Sequence, residues 1–221
     1  MKNTHKLLSA LLLLGALTSC GGTPTEEPTS APTEQVTPTD QVTPTDTAQS
    51  SALEEALVGI AQGKTCYLST VGQADSDIVG NVFKKAGAIG SYTTDNMLSA
   101  SAVEEGSVVF LTLGVSSKGL GAAGVDEAGE KVRAQEFSAA AQEGKFTLVL
   151  FHVGGTARRG KDGSDPIIEA AFPGAAACFV VATGNDDGFF TSLSSANNVS
   201  LYSVPKALDL VDYAKGLFGK E

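Results

Sequence analysis

Val108-Val109-Phe110-Leu111-Thr112-Leu113-Gly114-Val115 is apolar at nearly every position and carries no charge. Two later runs share that character, Phe146 to Val153 and Cys178 to Thr183. None of the three alternates apolar with polar residues, as a strand with one wet face would. Strands buried by helices on both faces of a parallel sheet read this way. Helical segments at about 126–143 and 166–172 lie between the runs, and helix-separated strands of this kind predict βα units.

The same alternation extends in both directions. Upstream, Thr65 to Thr70 reads as a short strand, and Ser76 starts a helix with Ile78, Val79, Val82 and Phe83 on one face and Gly87 as its stop. A weak strand near Tyr92-Thr93-Thr94 and a one-turn stub from Ser101 to Glu104 follow. Before them, Ser51-Ala52-Leu53-Glu54 has a capping-box pattern, with Leu53, Ala56, Leu57 and Ile60 at helical spacing as far as Gly63. Downstream come a helix near 189–197, a strand from Ser200 to Val204, and a terminal helix opened by Pro205. Its apolar stripe is Ala207, Leu210, Val211, Ala214, Leu217 and Phe218. The expectation is an α/β fold: a single doubly wound three-layer sandwich around a mostly parallel sheet of five to six strands. A flavodoxin-like order, 2-1-3-4-5-6, fits the stub between strands two and three, with the Rossmann order as the alternative.

The 221 residues carry 15 Lys+Arg against 25 Asp+Glu, a formal charge of −10. That surplus excludes a general nucleic-acid binder, which needs a basic excess to neutralise phosphates. Lys2 and Lys6 precede an apolar stretch from Leu7 to Leu17, too short to span a bilayer and suited to a signal sequence. It ends in Leu17-Thr18-Ser19-Cys20-Gly21, which resembles the lipobox of bacterial lipoproteins. The resemblance implies a signal peptide over 1–19, acylation of Cys20, and a protein held on the membrane of a bacterial cell envelope, outside the cytoplasm. Residues 20–49 are Thr- and Pro-rich and nearly devoid of apolar side chains, with Gln-Val-Thr-Pro-Thr-Asp at 35–40 and again at 41–46. Such a segment is expected to stay disordered, as a tether spanning roughly 30 Å. The α/β domain is assigned to 50–221. Its two cysteines, Cys66 and Cys178, fall near the amino ends of strands one and five. Those strands sit three positions apart in the expected order, roughly 14 Å, which is beyond disulfide reach and predicts two free buried thiols.

Ligands of open parallel sheets bind beyond the carboxyl ends of the strands, near the switch in strand order. Those ends here hold Gly72-Gln73, then Ser116-Ser117-Lys118-Gly119-Leu120-Gly121-Ala122-Ala123-Gly124, then His152-Val153-Gly154-Gly155 with Arg158-Arg159, and Asn185-Asp186-Asp187. Gly119 to Gly124 satisfies G-x-G-x-x-G, but it follows the third strand and lacks a ribose-binding acid, so no dinucleotide cofactor is implied. The segment reads instead as an anion nest with Lys118 alongside, or as a plain surface loop. Ser116 or Ser117 with His152 is the only nucleophile–base pairing on offer. The elbow is poor, because the next helix is expected only near Asp126, and His152 equally suits a hydrogen-bonded structural role. Arg158, Arg159 and Lys161 form a basic loop able to take carboxylates or phosphates, or to pair with Asp162 and Asp165. Asp165-Pro166 reads as a helix start. Asn185 and Asp187 fit a helix-capping turn better than a calcium loop, and one histidine leaves no zinc set, so no metal is expected.

The Ser116–Gly124 motif, His152-Val153-Gly154-Gly155 with Arg158-Arg159-Gly160, and Gly184-Asn185 with Asp187-Gly188 resemble a family of exported bacterial α/β domains over about residues 64–218. The resemblance implies the fold and the importance of these loops, and carries no assigned activity. The leading expectation is a lipid-anchored module that binds a small anionic molecule, alone or for an envelope or transporter partner. Lys118, Arg158 and Arg159 would converge beside His152, with the glycines at 72, 119, 121, 124, 154 and 155, Gln73, Ser116, Ser117, Asn185 and Asp187 around them. A Ser/His hydrolase or transferase and a protein-interaction module are the alternatives.

Overall fold

Six parallel strands form one sheet in the order β2-β1-β3-β4-β5-β6 in the computed structural model, which describes residues 52–160 and 163–221. The expected signal peptide, Cys20, the tether, Lys161 and Asp162 lie outside the described residues. The strands are β1 (Cys66–Val71), β2 (Thr93–Thr94), β3 (Val108–Leu113), β4 (Thr147–His152), β5 (Ala175–Val181) and β6 (Ser200–Val204). The helices are α1 (Ser76–Lys85), α2 (Ser117–Ala123), α3 (Glu127–Gln142), α4 (Ser164–Ala171), α5 (Phe189–Asn197) and α6 (Val211–Phe218). The flavodoxin-like order is therefore the observed one, and the Rossmann alternative is set aside.

Both faces of the central strands are dry because both are covered. Phe110, Phe151, Phe179 and Tyr202 point to one side, where α1 and α6 supply Val79, Phe83, Ala214, Leu217 and Phe218. Val109, Leu111, Leu148, Leu150 and Val180 point to the other, against Ala134, Phe137, Ile167, Ile168 and Phe190 of α3, α4 and α5. On the first face Phe151, Phe179 and Tyr202 occupy one register across β4, β5 and β6 and stack at 5.0 and 4.8 Å between centroids. Phe83 meets Phe110, Phe151, Phe218 and Tyr92 edge-on. Such ring contacts add to simple area burial.

The cysteines fall on opposite faces, Cys66 with the α1/α6 cluster and Cys178 with the α3/α4/α5 cluster, and both are free and buried. Burial pushes the Cys66 thiol up to about 11, with Lys64 pulling weakly the other way, and raises Cys178 further. Cys178 sits mid-strand rather than at an amino end, because β5 begins three residues before the run read from the sequence.

Two elements differ most from expectation, and the terminal helix expected from Pro205 opens instead as a 3-10 turn, Ala207–Leu210, with α6 starting at Val211. The helix read over 53–63 is a 3-10 turn, Glu55–Leu57, followed by irregular chain. Gly59 adopts φ +67°, and the amides of Gly59 and Ala61 donate to the carbonyls of Gly216 and Leu217 on α6. Tertiary acceptors have replaced the i−4 carbonyls that a helix would use. The second difference is α2, which occupies the segment read as an open glycine-rich loop and bears on the candidate site.

Candidate functional site

The switch in strand order lies between β1 and β3, and the turn after β1 is built around it. Thr70 Oγ1 donates to the Ala74 carbonyl at 2.9 Å, and Thr112 Oγ1 on β3 donates to the same oxygen at 3.0 Å. Gln73 and Asp75 take φ of +59° and +64° without being glycine, a conformation that the surrounding bonds must over-determine. The Gly72 amide donates to Glu130 Oε2 at 2.6 Å, and Gln73 Nε2 reaches the same carboxylate. Glu130 is paired with Arg133 at 2.7 Å, both nearly sealed from solvent. Arg133 also donates to the carbonyls of Leu98 and Thr70. A buried ion pair on α3 thus clamps the turn from below.

Beyond β3 the chain goes directly into α2. Ser116 Oγ accepts the Gly119 amide at 3.2 Å as an N-cap, Leu120 is buried, and Gly124 at φ +70° ends the helix. The expectation that no helix begins until Asp126 is corrected by this cap–stop pair, which offsets the poor helix propensity of Gly119 and Gly121. The glycines serve close packing. A Cβ at Gly119 would stand 2.3 Å from the Gln73 carbonyl oxygen, and one at Gly72 would stand 2.3 Å from that of Gly114. Gly121 faces open space, and Lys118 is exposed on α2 with no ion-pair partner among the described residues.

The loop after β4 divides its two arginines between opposite flanks. Arg158 crosses toward β1 and β3. Its stem fills the gap that side chains at Gly114 and Gly154 would occupy, its Nε faces both Asp75 oxygens at 3.3 Å, and Nη1 donates to the Val115 carbonyl at 3.3 Å. Arg159 turns toward β5, pairs with Asp165 at 2.7 Å and Asp187 at 3.0 Å, and lies 3.8 Å over the Phe189 ring. Burial opposes the charge of Arg159, but the bonds from Asp165 and Asp187 outweigh it and raise its pKa. The same bonds hold both carboxyls below their usual range, for Asp165 against its own burial. A cavity of about 290 Å³ lies here, lined in part by Thr156, Arg159, Asp165, Asp186 and Asp187. With three acids to one arginine it is an acidic recess, not an anion pocket. Asp165 belongs to this pairing and lies inside α4, one residue past the start read for it as a cap.

His152 ends β4 and is fully buried beneath Phe190. Nδ1 lies 3.0 Å from the Leu113 carbonyl and Nε2 lies 3.1 Å from that of Gly155. Two carbonyl acceptors favour the imidazolium, whereas burial, with Arg159 nearby, favours the neutral ring. Burial dominates and lowers the pKa, which favours the neutral ring, a form that donates through only one of its two nitrogens.

The convergence expected of Lys118, Arg158 and Arg159 beside His152 does not occur. Arg158 joins Gly114, Gly154 and Asp75; Arg159 joins Asp165 and Asp187; Lys118 is exposed without an ion pair among the described residues; His152 is sealed below. No hydrogen bond joins His152 to Ser116 or Ser117, since its ring nitrogens meet backbone carbonyls and Ser116 caps α2. Gly155 packs on Thr183, whose Oγ1 would lie 2.5 Å from an added Cβ. Asn185 accepts the amides of Phe190 and Thr191, and Asp187 accepts that of Phe189, so both cap the turn into α5. Asp75, Glu130 and Arg133 were not singled out in the sequence. The available signal was on α3, where Glu130 and Arg133 share the helical face of Ala134 and Phe137.

The chain matches the family described as domain of unknown function DUF6305 over residues 64–218, from just before β1 to the end of α6, and it belongs to that family. No curated protein and no solved structure matches it.

Proposed function

We propose that this DUF6305 domain is the binding module of a lipid-anchored protein of the bacterial cell envelope, and that it takes a small carboxylate or phosphate at Arg158. On this reading residues 1–19 are a signal peptide, Cys20 carries the acyl anchor, and 20–49 hold the domain clear of the headgroups. One observation carries the choice of site. Arg158 is a third exposed at the strand switch, its contact with Asp75 is long at 3.3 Å, and Nη2 has no hydrogen-bond partner among the described residues. An anion bound edge-on to the guanidinium would replace a weak internal pair with charge-assisted bonds. The strained, over-determined turn at Gln73 and Asp75 supports the same edge. Ser/His hydrolysis has less support, since the serine and the histidine are engaged separately. A protein-interaction role draws only on Met97, 47% exposed beside Gln73.

A thermal-shift screen of small carboxylates and phosphates tests the site. A ligand at a hundred times its dissociation constant stabilises by about 2.7 kcal/mol. The expected hit is lost in Arg158→Ala and kept in Gly121→Val, whose side chain enters open space. A hit indifferent to Arg158→Ala would remove the proposal.

A further inference from the structure

At the opposite end of the sheet, four lysines lie on the elements that flank an exposed isoleucine. Ile89 is 70% exposed in the turn between α1 and β2. Lys84 lines one shallow depression with Ile89 and Gly90; Lys64 and Lys220 line a second, which shares Gly90. Lys85 lies beside Lys84 in the exposed last turn of α1. None of the four makes an ion pair among the described residues, although the domain carries 13 Lys+Arg and 20 Asp+Glu. Several carboxylates share this end: Glu104, bonded to Thr65; Glu54, bonded to Ser200; Glu143, paired with Lys145; and Glu221, next to Lys220 in the chain, while Asp77 lies on the wall of the Lys84 depression.

The chain also joins the domain at this end. Leu53 lies against Gly216 near the end of α6, and Glu54 bonds Tyr202 and Ser200 at the start of β6. Residues 59–61 bond the last turn of α6 and lead into β1. Whatever anchors the residues before Ala52 is therefore attached on the lysine side of the sheet.

We propose that this amino edge docks on an anionic phospholipid surface, with Ile89 inserted among the headgroups and Lys64, Lys84, Lys85 and Lys220 against their phosphates. The inference rests on the lipid-anchored reading and deepens it, because the docked domain presents its carboxyl edge, with Arg158, away from the bilayer. Charge complementarity selects the occupant. Each lysine near an anionic surface contributes roughly fivefold to binding, while the acidic remainder of the domain is repelled. An exposed isoleucine flanked by lysines also matches the amphipathic pattern of interfacial binding. The affinity of the free chain would be modest. A tether of some thirty residues raises the effective concentration at the surface toward the millimolar range, so a modest affinity suffices.

The test uses the mature chain from residue 20 with Cys20→Ser, mixed with vesicles of equal parts phosphatidylglycerol and phosphatidylcholine or of phosphatidylcholine alone. Sedimentation should show binding to the anionic vesicles at least tenfold tighter than to neutral ones, and lost at high salt. Lys84→Gln/Lys85→Gln should weaken it roughly twenty-fold, and Ile89→Ser roughly tenfold. Lys131→Glu, on exposed α3 surface, should weaken it far less than either. Because all these side chains are exposed, melting temperatures report intact folding. Equal binding to both vesicle types, no binding, or anionic binding indifferent to the three patch substitutions would each overturn the proposal. The intact mass of the protein from host membranes reports acylation separately, so a missing acyl group would remove the anchor while leaving the vesicle result to stand.

Discussion

At the carboxyl end of the sheet Arg133, Arg158 and Arg159 each hold an acidic partner, whereas at the amino end Lys64, Lys84, Lys85 and Lys220 hold none among the described residues. Several glycines divide the same way, although Gly121 and Gly124 at the carboxyl end are open and Gly174 before β5 packs on Gln142. Gly72, Gly114, Gly119 and Gly154 sit where any side chain would strike a neighbouring loop, while Gly63, Gly87 and Gly90 face open space. One end is an interlocked assembly whose arginines are paired internally, with Arg158 held only loosely and Lys118 exposed without an ion-pair partner among the described residues. The other is a loose rim with its charge turned outward. The contrast explains why one end suits a small ligand and the other a broad surface. It also makes the two ends differ in what a substitution costs.

The largest effect should come from the buried pair. Arg133→Ala leaves Glu130 sealed with an uncompensated charge, beside an amide and a glutamine that satisfy it only partly. A loss of about 3–5 kcal/mol is expected in urea unfolding. Lys84→Ala at the amino end should stay within about 0.5 kcal/mol. Comparable losses at the two ends would dissolve the distinction.

A matched pair of glycine substitutions separates backbone strain from crowding. Gly72→Ala combines φ +87° with a backbone oxygen 2.3 Å away, and should cost about 2–4 kcal/mol. Gly87→Ala carries φ +76° with nothing within 4 Å, so only the strain remains, about 1–2 kcal/mol. Chemical denaturation of the two variants side by side measures the difference. If they lose the same amount, the carboxyl loops are not interlocked as described.

The central strands were legible because burial on both faces leaves an uninterrupted apolar run, a signal each carries alone, while their order followed from the short stub between strands two and three. The helix at Ser117 was obscured because Gly119 and Gly121 argue locally for a loop; Gly119 is small because Gln73 packs on it, and that contact is invisible in the local sequence. The partner of Arg158 was hidden for a similar reason, since Asp75 lies 83 residues away in the chain. Asp165, six residues from Arg159, was within sight as a partner, and the structure selects that reading. The apolar runs placed the strand ends, while the direction of each side chain beyond them depended on long-range contacts.

The smallest effect is a pH slope at the carboxyl end. His152 is the domain's one histidine, since the chain's other is His5. Its folded pKa is lowered, first by burial, from the usual histidine value of 6.5. The folded state therefore binds fewer protons than the unfolded chain once the pH drops below that value. The contribution is fully present above about pH 6.5 and is lost as the pH falls toward the folded pKa. The slope can reach about 1.4 kcal/mol per pH unit, the limit for a single proton. Asp165 and Asp187 have lowered pKa values, so their losses begin only in the carboxylate range, near pH 4 and below. The interval from about pH 5 to 6.5 is left mainly to His152. Urea unfolding across that interval should show stability falling toward acid in the wild type and a flatter profile in His152→Gln. A wild type that gained stability toward acid would mean that the two carbonyls, rather than burial, govern the ring. The histidine would then be an imidazolium clamped between β3 and the loop after β4, and the carboxyl edge would carry one more positive charge near Arg159.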